Sequence, residues 1–143
     1  MVTADKIAQR LGGRKALGKN IRSELELHDL IARGLPTAAL DALISNMLIS
    51  KKEIESIVPR RTAGRHRTNG TRLNAEQSER IARLVRIAEY ANEVFGSDSK
   101  AHHWLHAANS ALGGKRPIDL STTETGARLV ETILTRIDYG VYS

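Results

Sequence analysis

Asn74-Ala-Glu-Gln-Ser-Glu-Arg-Ile-Ala-Arg-Leu-Val-Arg-Ile-Ala-Glu-Tyr-Ala-Asn-Glu-Val-Phe-Gly96 is the stretch that decides the fold class. Asn74 and Gln77 have the spacing at which an N-cap side chain and its third helical neighbour satisfy each other's free amides. Ile81, Leu84, Val85, Ala88 and Phe95 then recur on one helical stripe. Glu76 with Arg80 and Glu79 with Arg83 form i,i+4 pairs in the favourable orientation, each worth about 0.2–0.5 kcal/mol. Gly96 ends the segment. A long, capped, amphipathic helix is predicted, and the rest of the chain is read against it.

Downstream, Asp98 is placed to cap a further helix that turns Ala101, Trp104 and Leu105 inward. Gly113-Gly114 allows a sharp reversal before Pro117 opens a short helical turn, with Leu112, Ile118 and Leu120 as anchors. A last helix begins near Thr123 and carries Leu129, Val130, Ile133, Leu134 and Ile137 at helical spacing. Upstream, Thr3 to Leu11 reads as a short helix stopped by Gly12-Gly13, its Ile7 and Leu11 serving its own core or a dimer mate. Ser23 with Glu26 opens a helix bearing Leu27, Leu30 and Ile31, which Gly34 closes. Pro36 fits a first helical position ahead of Leu40, Leu43, Ile44 and Met47. Ser50 with Glu53 opens another helix through Ile54, Ile57 and Val58, and Pro59 interrupts it. Neither an alternating strand nor an internal repeat is found, so the expected fold is all-α.

At 143 residues the chain is expected to form one or two small domains, able to build a core without staples. Cysteine is absent, which excludes disulfides, thiolate catalysis and cysteine-ligated zinc. No signal-peptide layout or membrane-length apolar run is seen, so a soluble cytoplasmic protein is the expectation. Charge is uneven. Residues 1–68 hold 13 basic and 7 acidic residues, whereas residues 69–143 hold 9 of each. The aromatics, Tyr90, Phe95, Trp104, Tyr139 and Tyr142, all fall in the second half. A basic half without aromatics has nothing on which to stack unpaired bases, which favours duplex DNA over single strands.

The positive charge concentrates from Val58 to Arg72, with five arginines, one histidine and no acid. A short helix, a turn at Pro59 and a second short basic helix up to Arg67 is the layout of a helix-turn-helix, whose second helix enters the major groove. A solvated loop joining two domains is the competing reading. Asn69-Gly70 marks a turn just beyond, which sets an expected boundary between residues 1–68 and 69–143.

His102 and His106 lie four apart on one helix face and could hold a metal, but no intervening glutamate or third ligand accompanies them, and a surface or packing role is the ordinary reading. No nucleophilic triad and no phosphate-binding glycine fingerprint can be assembled, so neither catalysis nor a cofactor or metal is expected. The tail Tyr139-Gly140-Val141-Tyr142-Ser143 is apolar and aromatic, fit either to fold back on the core or to dock into a partner.

In order, Arg72-Leu-Asn-Ala-Glu-Gln-Ser-Glu-Arg-Ile-Ala-Arg-Leu84, Ala91-Asn-Glu-Val-Phe-Gly96, Trp104-Leu105, Asn109-Ser-Ala-Leu-Gly-Gly-Lys-Arg-Pro-Ile-Asp-Leu120, Thr123-Glu-Thr-Gly-Ala-Arg-Leu-Val-Glu131 and Arg136-Ile-Asp-Tyr-Gly140 resemble the toxin-binding domain of Xre/MbcA/ParS antitoxins. Gly34-Leu-Pro36 and Val58-Pro-Arg-Arg-Thr62 more loosely resemble the Xre-like DNA-binding domain of the same proteins. The resemblance implies a non-catalytic antitoxin encoded beside a RES-domain toxin that destroys NAD. The C-terminal domain would clamp the toxin and obstruct its active site with the terminal segment. The N-terminal domain would bind operator DNA; because paired helix-turn-helix units read half-sites about one turn of DNA apart, the chain is expected to be a homodimer within a larger toxin–antitoxin complex. Carried over by residue, Arg60, Arg61, Thr62, Arg65 and Arg67 would face DNA, and Arg128, Glu131, Arg136, Tyr139, Gly140, Val141 and Tyr142 would face the toxin. Two departures from the family pattern stand out. Ala63 and Gly64 follow Arg-Arg-Thr, and a glycine inside a helix costs about 0.5–1 kcal/mol, so the recognition helix is expected to complete itself only on DNA. Ser110 replaces a common proline, with consequences only for loop stiffness. A stand-alone helix-turn-helix regulator, or a small metal enzyme built on His102 and His106, are the readings from other classes.

Overall fold

The computed structural model describes residues 2–45, 48–59 and 72–140. In chain order the described helices are α1 (Ala4–Arg10), α2 (Gly13–Leu17), α3 (Glu24–Arg33), α4 (Ala38–Ile44), α5 (Lys51–Ile57), α6 (Ala75–Phe95), α7 (Asp98–Leu105), α8 (Pro117–Leu120) and α9 (Glu124–Asp138), with a 3-10 turn at Ser110–Leu112. Among the described residues the only β pairing is two isolated bridges, Pro36 with Arg72 and Asn109 with Lys115. The all-α expectation holds.

The long helix is central. Asn74 accepts from the Gln77 amide at 2.7 Å while the Gln77 side chain accepts from the Asn74 amide at 3.2 Å, the reciprocal cap expected from their spacing. Gly96, at φ 79°, closes it. The outer pairs form as well, Arg80 to Glu76 at 2.8 Å and Arg83 to Glu79 at 2.6 Å. The buried surface is wider than one stripe, because α6 packs against α1, α3 and α5 as well as against α7 and α9. Ile87, Ala91 and Ser78 are therefore buried together with Ile81, Leu84, Val85 and Ala88. One apolar cluster runs from Ala4 to Leu134 through all of these helices.

The N-terminal helix belongs to this core. Ile7 and Leu11 are buried in the same cluster, and Arg10 donates to both Asp98 oxygens at 2.8 and 2.7 Å and to Glu89. α1 is thereby tied to α6 and α7. The glycine pair after it does more than stop a helix, since Gly12 turns the chain at φ 100° directly into α2, which the sequence reading lacked. Two expected caps also shift. Pro36 precedes α4 rather than opening it, because Thr37 is the N-cap and residues 35 and 36 are engaged in pairing with residues 72 and 73. Ser97, not Asp98, caps α7, accepting from the Lys100 amide at 3.1 Å, and this frees the Asp98 carboxylate for Arg10.

The acid side of the stability curve follows from these ion pairs. Arg10 first, with Asn92 assisting and burial opposing, holds the Asp98 carboxyl below its ordinary value. Burial opposes the charge of Glu93, yet Lys6 lowers its carboxyl overall. A carboxyl depressed in the folded state stabilises above its unfolded value of about 4 and loses that contribution as pH falls through the folded value. The urea midpoint is therefore expected to be level from about pH 7 to 5 and to fall below about pH 4. Arg10→Gln should lower the neutral midpoint and flatten the acid decline.

Candidate functional site

α9 divides its residues sharply. Ala127, Val130, Ile133 and Leu134 are buried against the core, and Gly126 lets the helix start close to α8, since a Cβ there would lie 2.0 Å from the Leu120 carbonyl oxygen. Thr123 caps the helix by accepting from the Gly126 amide at 3.0 Å. On the outer side Leu129 is 51% exposed and Tyr139 76% exposed. Leu129 was expected with the buried set; it sits instead on the solvent face with Arg128, Thr132 and Arg136.

Three of the sequence-predicted residues come together here. Arg128, Glu131 and Arg136 line a groove of about 570 Å³ along the seam between α6 and α9, with Arg86 on its other wall. Arg128 pairs with Glu124 at 3.0 Å along α9, whereas Glu131 reaches across to Arg86 at 2.8 Å. Arg86 Nε is buried without a hydrogen-bond partner among the described residues. A second cleft of about 250 Å³ shares Arg86, Glu131 and Thr135 with the first and extends the seam past Tyr90 and Asp138 to Tyr139. The Tyr90 hydroxyl is 2.8 Å from Thr135 Oγ1, joining the two helices at that point. Gly140 follows at φ 70°, its amide donating to the Ile137 carbonyl at 3.1 Å. Val141 and Tyr142 lie outside the described residues.

Arg86, Tyr90, Leu129, Thr132 and Thr135 were not in the sequence-predicted set. Arg86 and Tyr90 are four apart on α6 and off its apolar stripe, which is the one signal in the sequence that pairs them. The DNA-facing set, Arg60, Arg61, Thr62, Arg65 and Arg67, lies outside the described residues, as does Met47. Its flanks are described. Upstream, Val58 is buried below Pro59; downstream, Arg72 donates to the Gly34 carbonyl at 2.8 Å and the Leu73 amide to the Leu35 carbonyl at 2.9 Å.

The two histidines that share a helix face are brought against each other and against Glu53. His102 and His106 stack with ring centres 4.0 Å apart, and His106 Nε2 is 2.6 Å from Glu53 Oε1. Among the described residues no three His, Asp or Glu side chains are grouped to hold a metal, and no helix is long and apolar enough to cross a membrane.

Residues 26–86 match the family model of the antitoxin Xre-like helix-turn-helix domain, and residues 91–140 that of the antitoxin Xre/MbcA/ParS C-terminal toxin-binding domain. An antitoxin Xre of Yersinia enterocolitica is 38% identical over 120 residues, which cover 82% of this chain and 81% of the relative. The chain belongs to the Xre antitoxin family. Another antitoxin Xre, of Pseudomonas putida, is 29% identical over 120 residues, covering 84% of this chain and 76% of the relative. A Sphingobium protein named Prs ADP-ribosylating antitoxin is 27% identical over 153 residues, covering 92% and 96%. In this Xre antitoxin the two family matches adjoin inside α6, the first ending at Arg86 and the second starting at Ala91. The groove on the α6–α9 seam therefore draws mainly on the toxin-binding match, but takes Arg86 and Tyr90 from outside it.

Proposed function

We propose that this antitoxin neutralises a RES-domain toxin that degrades NAD, by seating the toxin along the α6–α9 seam and obstructing its active site with the segment from Tyr139 onward. The observation that carries this reading is the groove itself: Arg128, Glu131 and Arg136 line it, and the continuing cleft ends at the exposed Tyr139 ring. Alternating Arg and Glu side chains around a groove favour a partner segment of mixed charge, with Tyr139 as the apolar anchor at its end. The relative named for ADP-ribosylation fits a toxin that consumes NAD, because ADP-ribosyl groups are drawn from NAD. The inhibition is steric and uses no catalysis by the antitoxin.

The same chain represses its own operon in the cytoplasm as a homodimer within the toxin complex. Residues 1–68 serve DNA and dimerisation, residues 69–143 serve the toxin, and Arg60, Arg61, Thr62, Arg65 and Arg67 contact operator DNA. Co-expression with the product of the neighbouring gene tests the reading. Toxin alone should deplete cellular NAD and arrest growth, and the antitoxin should restore both and co-purify with it. Normal NAD under toxin alone would remove the RES assignment.

The DNA side has its own expected result. Neutralising five phosphates per recognition unit gives a log–log salt slope of about −4 to −5. Arg61→Ala or Arg65→Ala should weaken operator binding by about 1–3 kcal/mol and relax sequence preference where the side chain reads a guanine edge. Titrations at several salt concentrations decide it, and binding indifferent to both salt and these arginines would exclude the basic stretch as the DNA contact.

A further inference from the structure

α5 spans only Lys51–Ile57, too short to hold its own geometry in water, so tertiary contacts set where it points. Ile54, Ile57 and the following Val58 enter the core, and the helix packs against α4 and α6. The remaining constraint is polar and sits at its N-terminus. Glu53 is buried, at 7% exposure, and its Oε1 accepts from the Ser50 hydroxyl at 2.5 Å and the Ser50 amide at 3.4 Å, closing the cap of the helix. The same oxygen faces His106 Nε2 at 2.6 Å, and its second oxygen is 4.0 Å from Arg116. Burial opposes the charge on Glu53, but Ser50 and His106 outweigh it and hold the carboxyl below its ordinary range.

His106 is the C-cap of α7 and Arg116 the N-cap of α8, both within the toxin-binding match. Glu53 lies in the helix-turn-helix match, on the last described helix before the basic stretch. His106 is itself held in place, with Nδ1 2.9 Å from the His102 carbonyl and its ring stacked on His102. Both ring nitrogens thus face oxygen atoms, the His102 carbonyl on one side and the Glu53 carboxylate on the other. Arg116 is fixed in turn by two hydrogen bonds to Asp119, at 2.9 and 2.8 Å. A buried carboxylate that loses one of its few hydrogen-bond partners is left with the desolvation cost of that group, so the Glu53–His106 contact favours one relative position of the two helix ends it joins.

We propose that His106, although it stands in the toxin-binding half, is a positioning residue for DNA binding, holding through Glu53 the helix that leads into the basic stretch. None of Glu53, His106 or Arg116 lines the α6–α9 groove, so the contact acts on the DNA side and leaves the toxin-facing seam as it is. The proposal rests on the DNA-binding reading given above.

The test uses the full chain and a duplex of the region immediately upstream of its own gene. His106→Leu removes the donor to Glu53 and should weaken duplex binding about tenfold or more, the scale of one hydrogen bond to a charged group. His106→Gln restores a donor and should recover most of that loss. In a Glu53→Gln background the His106→Leu change should add little, because the pair acts as one unit. Capture of the toxin by each variant should stay within about twofold of the parent chain. Val130→Ala, a core truncation in α9 away from the pair, serves as a destabilised control, with the melting temperature of each variant measured alongside its duplex binding. Two results overturn the inference: duplex affinity unchanged in His106→Leu, or an equal loss in the Val130→Ala control, which would reduce the pair to general stability. A parent chain that does not bind the duplex would sink the DNA-binding reading instead, so the two failures are distinguishable.

Discussion

A chain ending at Asp138 is expected to fold, to bind its promoter and to leave its toxin uninhibited. The core loses nothing by the truncation. Ile133 and Leu134 remain buried and Ile137 still packs on the cluster, while Tyr139 projects into solvent at the end of the seam. A tyrosine exposed at 76%, placed where a charged groove runs out and followed by a left-handed glycine, contributes little to this chain's own stability. Aromatic anchors of this kind carry about 2 kcal/mol or more of binding energy each, so Tyr139→Ala alone should weaken toxin binding about 30-fold. Removing residues 139–143 takes Tyr139, Val141 and Tyr142 together and should abolish rescue of growth. Melting temperature and promoter binding, measured on the same preparation, should match the full-length chain. Full rescue by the truncated chain would place the inhibitory contact elsewhere, on the groove alone.

Much of the fold was legible because short-range chemistry determines it. The caps at Ser23, Ser50 and Asn74, the stops at Gly34 and Gly96, the Gly113-Gly114 reversal and Pro117 at the start of α8 all depend on residues within four positions of one another, and the structure places each as read. The revisions share an opposite cause. Pro36 looks like a first helical residue until Leu73 returns to pair with Leu35, and Asp98 looks like an N-cap until Arg10, 88 positions away, takes its carboxylate. Leu129 obeys the helical spacing of α9 but falls at the edge of its apolar face, where spacing alone does not separate inside from outside. α2 was missed because five residues between two glycines carry too little periodicity to register.

The functional surfaces divide along the same line. Arg128, Glu131, Arg136 and Tyr139 are on one helix and its end, so a resemblance in sequence could propose them together. Arg86 and Tyr90 belong to the same seam only because α6 and α9 lie side by side. His106 invited comparison with metal ligands through its spacing from His102, whereas its partner is Glu53, 53 positions away. Chemistry that depends on one helix can be found by its period, but chemistry between helices requires the packing.

Gly34→Ala is expected to be the most damaging single substitution among the glycines described. Its φ of 101° is a conformation that glycine adopts readily and alanine does not, at a cost of about 1–3 kcal/mol. The steric term is larger here than at the other described turns. A Cβ at Gly34 would lie 2.0 Å from the Leu73 carbonyl oxygen and 3.2 Å from the Arg72 Cβ, and a backbone oxygen cannot swing aside as a flexible side chain would. Moving residues 72 and 73 breaks the Leu73 amide from the Leu35 carbonyl and draws Arg72 off the Gly34 carbonyl. It also disturbs the Leu35 amide, which donates at 2.8 Å to the fully buried Ser78 hydroxyl. Each buried group left unpaired costs about 1–3 kcal/mol, so the total is about 3–5 kcal/mol and the melting temperature should fall by roughly 10 °C or more. Gly113→Ala isolates the conformational part, since Gly113 also has positive φ, 68°, but a Cβ there meets nothing within 4 Å; its cost should be only about 1 kcal/mol. Comparable melting temperatures for the two variants would mean that the close approach of Leu73 to Gly34 is not what holds this junction. A large difference would locate the downstream anchor of the basic stretch at Gly34, as Glu53 and Val58 locate the upstream one. Because the described flanks of the basic stretch are held at Val58 and at Arg72–Leu73, Gly34→Ala should reduce promoter affinity even below its unfolding temperature, while toxin capture by the α6–α9 seam persists.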